Sequence, residues 1–222
     1  MDIAANIAEI KKEIPESVQL VAVSKTKPNS DILEAYHSNH KVFGENKVQD
    51  LVEKYEQLPK DIQWHFIGHL QTNKVKYIAP FVALIHGVDS MKLLKTVNKE
   101  ARKNNRIISC LLQFHIAEES TKFGLSLEEA LELLNSDEYK QLKNVDITGV
   151  MGMATFTENE KQIRSEFKTL KKYFEILKQE YFAVSDKFCE ISMGMSDDYL
   201  IAVEEGSTMI RVGSKIFGER NY

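Results

Sequence analysis

Eight short apolar runs, each followed by a longer stretch of charged residues at helical spacing, divide this chain almost from end to end. The runs are residues 20–23, 41–44, 62–68, 83–88, 107–114, 145–150, 188–192 and 209–213. Short runs rich in β-branched side chains and bounded by turn residues read as strands buried on both faces. The segments between them read as helices over residues 30–38, 47–57, 73–78, 90–104, 158–179 and 197–205, with one more opened by Ser126 and another starting near Ser214. Ser90 is placed to cap its helix, and Ser126 with Glu129 three residues on has the spacing of a capping box. Repeated strand–helix alternation demands a parallel sheet with helical crossovers. Eight units favour a closed (β/α)8 TIM barrel over an open doubly wound sheet.

At 222 residues such a barrel is near its lower size limit. The chain is therefore read as one barrel domain over residues 1–222, preceded by an amphipathic N-terminal helix with Ile3, Ile7 and Ile10 on one face. Hydrophobic residues at 43% and a net charge of −4 describe an ordinary globular chain with no general attraction to nucleic acid or anionic lipid. No run approaches the roughly 20 apolar residues of a spanning helix, and the N-terminus has no basic region followed by an apolar one. Cys110 and Cys189 both fall in apolar strand-like runs, which predicts buried thiols in a reducing compartment. A cytoplasmic protein is expected.

The first strand stops on Ser24-Lys25-Thr26-Lys27-Pro28. Lys25 thus stands at a strand's C-terminal end, where α/β proteins gather their chemistry. Partial burial penalises an ammonium and frees the amine, so Lys25 is a candidate Schiff-base nucleophile.

The region after strands seven and eight is where barrels often hold a phosphate. Gly194 and Gly213 permit close approach of backbone amides to an anion, and Ser192, Ser196 and Ser214 add hydroxyls. A helix starting at Ser214 would favour an anion by up to about 1 kcal/mol. Ser196 serves equally well as a helix cap, and Asp197 and Asp198 are read as first-turn acids rather than a metal pair. Arg211 lies inside an apolar strand and needs a planar acceptor or a buried carboxylate partner.

Ala22-Val23-Ser24-Lys25-Thr26-Lys27-Pro28, Phe43-Gly44-Glu45-Asn46, Trp64-His65-Phe66-Ile67-Gly68 and Leu70-Gln71-Thr72-Asn73-Lys74 form one set of motifs. Ser192-Met193-Gly194-Met195-Ser196-Asp197-Asp198 and Arg211-Val212-Gly213-Ser214-Lys215-Ile216-Phe217-Gly218 complete it. Together they resemble the YggS/PROSC family, the pyridoxal phosphate homeostasis proteins, from the first strand to near the C-terminus. The resemblance implies a barrel like the N-terminal domain of alanine racemase, carrying pyridoxal 5′-phosphate (PLP) on Lys25. It further implies that Ser192, Gly213 and Ser214 take the phosphate, with Met193 and Ser196 in the same binding set. Arg211 would face the pyridine nitrogen and Asn46 would lie beside the cofactor. Many members carry Thr where this chain has Ser214, and the hydroxyl survives the exchange. Lys27 and Lys122 also match family lysines and are read as solvated surface amines. No metal is implied: His65 and His69 straddle a strand end, and His86 and His115 read as satisfied structural histidines.

Two functional classes follow. One is a carrier that holds PLP as an imine for vitamin B6 homeostasis, as a monomer that passes it to apo PLP-dependent enzymes. The other is a PLP-dependent amino-acid racemase. Arginine can only donate to the ring nitrogen and leaves the electron sink weak, although alanine racemases share that arginine. Two-base racemisation also needs an acid/base on the far face, which alanine racemases take from a separate β domain that a chain of this length does not hold. The carrier is favoured. A phosphosugar isomerase or aldolase using Lys25 is a third reading from the barrel alone.

Overall fold

The strands are β1 (Gln19–Val23), β2 (Val42–Glu45), β3 (Gln63–Phe66), β4 (Leu84–Val88), β5 (Ile108–Gln113), β6 (Val145–Met151), β7 (Glu190–Ser192) and β8 (Met209–Val212). They belong to a computed structural model that describes residues 2–118 and 123–219. Each strand pairs in parallel with the next, and β8 returns to β1 with Ala22 opposite Val212, closing an eight-stranded barrel. Val21, Leu84, Leu111, Met151 and Met209 make an apolar cluster of their own, contributed by five strands, which fills the barrel interior.

The outer ring consists of α1 (Ile3–Glu13), α2 (Asn29–His37), α3 (Val48–Gln57), α4 (Val75–Ile78), α5 (Met91–Lys103), α6 (Leu127–Asn135), α7 (Asp137–Lys140), α8 (Glu160–Glu180), α9 (Tyr199–Glu204) and α10 (Ser214–Phe217). Ile3, Ile7 and Ile10 of α1 are buried, as the spacing predicts, and Asp2 caps the helix by accepting from Ala5 N–H at 2.8 Å. Ser90 accepts from Leu93 N–H at 3.3 Å and so opens α5, which buries Leu93, Leu94, Val97 and Ala101. Each buried Leu or Val of this kind contributes about 1.5–3 kcal/mol relative to exposure. The predicted capping box is present at α6, with Ser126 and Glu129 bonded reciprocally. No helix among the described residues is long and apolar enough to cross a membrane.

Several expectations change, and β3, expected over residues 62–68, spans only Gln63–Phe66. Ile107 is 56% exposed and β5 begins one residue later. β7 is shortened because Phe188 leaves the sheet to stack between Phe174 at 4.9 Å and Phe182 at 4.2 Å. Cys189, next in the chain, is exposed rather than buried, whereas Cys110 is buried as expected. The helix expected from residue 197 starts only at Tyr199, since the preceding residues are committed to a turn in which Asp198 N–H donates to Met195 O at 3.2 Å.

Candidate functional site

The C-terminal ends of β1, β2, β3 and β8 surround a cleft of about 370 Å³. Lys25 and Lys27 from the β1 end, Asn46 from the β2 end and Gly68 from the β3 end line one side. Met195, Ser196, Asp197, Arg211, Gly213 and Ser214 line the other, with Met153 and Phe156 at the edge. Three cations against one carboxylate make the lining suited to an anion.

Lys25 enters this cleft from a tight turn. Lys27 N–H donates to Ser24 O at 3.0 Å, and Thr26 between them has φ +66°. The register that sets Ala22 opposite Val212 carries the end of β1 alongside Gly213. A Cβ on Gly213 would stand 3.1 Å from Val23 O, so glycine is what lets the two strand ends touch. Lys27 is not a solvated surface amine: it is half-buried, and its Nζ donates to Phe217 O and Glu219 O, both at 2.8 Å. Lys122 lies outside the described residues.

Across the cleft, Gly213 N–H donates to Ser196 Oγ at 3.3 Å. Ser196 therefore fastens the β7–α9 loop to the end of β8 and caps no helix. Asp198 fixes the same loop by accepting from Met195 N–H at 2.6 Å, while burial raises its pKa. Gly194 has φ +94°, and a Cβ there would come within 2.6 Å of Ala202 Cβ. Its absent side chain thus serves the packing of the loop on α9. Ser214 begins α10, whose first amides have no intrahelical acceptor.

Arg211 forms the floor. It is buried yet has no carboxylate within 4.0 Å among the described residues, so the buried salt bridge that the sequence left open is not there. One guanidinium nitrogen donates to Ser192 Oγ at 2.6 Å and another to Gly152 O at 3.1 Å. Burial lowers its pKa to about 10, with Asp198 pulling the other way, and the group stays charged at neutral pH.

Ser192 and Met193 do not line the cleft. Met193 is buried in the main core. Ser192 lies beneath Arg211 and also meets His86 Nδ1 at 3.0 Å, and His86 Nε2 meets His65 Nδ1 at 3.1 Å. The Ser192 hydroxyl accepts from Arg211, and neutral His86 has one ring N–H and one bare nitrogen to share between Ser192 and His65. Burial lowers His65 to about 3 and His86 well below its ordinary value, so both rings are neutral.

Sequence reasoning missed Glu45 and Lys54. Lys54 Nζ donates to Glu45 Oε1 at 2.6 Å, and both side chains are buried beside the Lys25 turn. A signal existed: Lys54 falls on the stripe of α3 that carries Val48 and Leu51, so a charge was due to be buried there.

The class that this geometry defines is the alanine racemase N-terminal-domain barrel, whose family model matches residues 1–221. A relative from Aquifex aeolicus, a pyridoxal phosphate homeostasis protein, is 41% identical over 92% of this chain and 88% of its own length. The protein of that description from Escherichia coli K12 is 33% identical over 100% of this chain and 98% of its own. PipY of Synechococcus elongatus superposes with a TM-score of 0.91 without PLP and 0.87 with PLP bound, at 34% identity over 97% of this chain and 100% of that one. Alanine racemase from Clostridium difficile shares the fold at a TM-score of 0.77 and 13% identity, with 60% of its length covered. The chain belongs to the pyridoxal phosphate homeostasis protein family.

Proposed function

We propose that this chain binds PLP in the cleft at the C-terminal rim of its barrel, holds it as a Schiff base on Lys25, and serves as a carrier in vitamin B6 homeostasis. The observation that carries the reading is Arg211: a buried guanidinium without a carboxylate partner among the described residues, facing the same cleft as Lys25. A buried charge of this kind calls for a hydrogen-bond acceptor, and a pyridine nitrogen supplies one. The residues present fit the group, since an amine, a ring-nitrogen donor and a set of hydroxyl and amide donors line one cleft. PLP supplies an aldehyde that condenses reversibly with an amine.

Each residue then has a task. Lys25 provides the amine. Ser196, Gly213 and Ser214 gather at the other end, where the phosphate is held. Asn46 flanks the ring. Arg211 donates to the ring nitrogen without protonating it, which keeps the electron sink weak. Ser192 and Met193 support from below, Ser192 by fixing Arg211.

We read the chain as one PLP-binding barrel that acts as a monomer in the cytoplasm, with apo PLP-dependent enzymes as recipients. The test is to load the protein with PLP, mix it with an apo-enzyme, and in parallel supply L-alanine. Transfer of PLP with no Lys25-dependent racemisation is expected. Robust Lys25-dependent racemisation would establish a catalyst instead.

A further inference from the structure

The residue before Lys25 is held at each of its polar atoms. Ser24 N–H donates to Gly44 O at 3.0 Å, and its hydroxyl donates to Glu45 Oε1 at 2.7 Å. Its carbonyl oxygen accepts from Lys27 N–H at 3.0 Å and from Lys54 Nζ at 2.9 Å. Lys54 Nζ in turn donates to Glu45 Oε1 at 2.6 Å, closing a ring of contacts around one peptide.

This arrangement is a costly way to hold a fold together. Glu45 is 0% and Lys54 8% exposed, and Glu45 Oε2 is buried without a hydrogen-bond partner among the described residues. Desolvation of two charges commonly cancels their attraction, and apolar residues of similar volume often replace such a pair without loss. The pair therefore stabilises little that packing could not.

What it does instead is visible in the turn. Thr26 has φ +66°, where a turn normally places glycine, and a β-branched residue adopts that conformation only when its surroundings impose it. Neither Glu45 nor Lys54 lines the cleft. Their contact with the site runs through the Ser24–Lys25 peptide.

We propose that Glu45 and Lys54 are positioning residues for the Lys25 amine: they lock the peptide that launches the side chain, and so set where Nζ enters the cleft. The inference rests on the PLP reading above. In the bond that forms, the Lys25 nitrogen joins the aldehyde carbon as C=N, and both amine protons leave with the aldehyde oxygen as water. No redox partner is needed. Orientation governs such a step: a misplacement of about 1 Å costs roughly a hundredfold in rate.

Two probes separate positioning from mere support. Pyridoxine 5′-phosphate has an alcohol in place of the aldehyde, so it reports the phosphate and ring contacts alone. PLP fixed on Lys25 by borohydride, measured by mass spectrometry against time, reports the amine. The variants are Ser24→Ala, which leaves the ion pair intact, and Glu45→Gln/Lys54→Met, which leaves no unpaired buried charge. Both are expected to bind pyridoxine 5′-phosphate within about twofold of the parent, while PLP is fixed roughly tenfold more slowly in the double variant and several-fold more slowly in Ser24→Ala. Parental trapping rates in both variants would overturn the proposal. So would a parallel loss of both ligands from folded protein, because that is the mark of a merely structural pair. If the parent itself fixed no PLP on Lys25, the fault would lie in the PLP reading rather than in the positioning argument.

Discussion

Arg211 donates to the Ser192 hydroxyl at 2.6 Å, and this contact, with a second to Gly152 O at 3.1 Å, fixes the guanidinium at the wall of the cleft. A ligand there meets a cation that cannot give up its proton at neutral pH. Replacing it with an acid inverts that logic. In Arg211→Glu the ring nitrogen of bound PLP is expected to take a proton, which displaces the visible absorption band. An unchanged spectrum across pH 6–9 would contradict contact between Arg211 and the ring.

The serines divide by depth. Ser196 and Ser214 line the cleft and Ser192 does not. Ser196→Ala and Ser214→Ala should therefore lower affinity for PLP by about ten- to a hundredfold while changing affinity for pyridoxal far less, as expected for loss of one hydrogen bond to a charged group. Ser192→Ala should leave the PLP-to-pyridoxal ratio unchanged. It strips an acceptor from Arg211 and a partner from His86, and so should lower stability by about 1–3 kcal/mol in thermal denaturation.

His65 and His86 supply a pH dependence. Burial holds His65 at about 3 and His86 well below 6.5, whereas both titrate near 6.5 once unfolded. Below pH 6.5 the unfolded chain binds more protons, so stability falls as pH falls and recovers as pH rises to 6.5. Each ring contributes a slope of about 1.4 kcal/mol per pH unit in that window. Melting temperatures between pH 6.5 and 5 should decline less steeply in His65→Gln than in the parent. An identical slope would argue against a neutral buried His65.

Gly68 holds Asn46 in place by lacking a side chain. A Cβ on Gly68 would lie 2.4 Å from Asn46 O and 2.9 Å from Asn46 Cα, and backbone atoms do not yield cheaply. Gly68→Ala should therefore cost about 1–3 kcal/mol of stability and weaken PLP binding together, as read by thermal melts and PLP titration. Loss of neither would mean that the β2 and β3 ends are free to separate.

Much of this molecule is legible in one dimension. Apolar runs placed the eight strands, the Ser126–Glu129 spacing announced a capping box, and Lys25 stood where a strand ends. What stayed hidden depends on register between strands far apart in the chain. Arg211, Ser192, His86 and His65 come from β8, β7, β4 and β3, and only the closed barrel sets them in a row. The family resemblance implied a phosphate role for Ser192, and the barrel sets its hydroxyl between Arg211 and His86 while that of Ser196 lines the cleft. The start of β7 differed for a related reason: Phe188 packs with Phe174 and Phe182, contacts that local hydrophobicity does not reveal.

Lys25 is the residue on which PLP binding turns. The direct measurement is to incubate the purified protein with PLP, reduce with borohydride, digest, and map the labelled peptide. A yellow protein and a single reduced pyridoxyl group on Lys25, abolished in Lys25→Ala, are expected. Label found on Lys27 or Lys122 with Lys25 unmodified would contradict it.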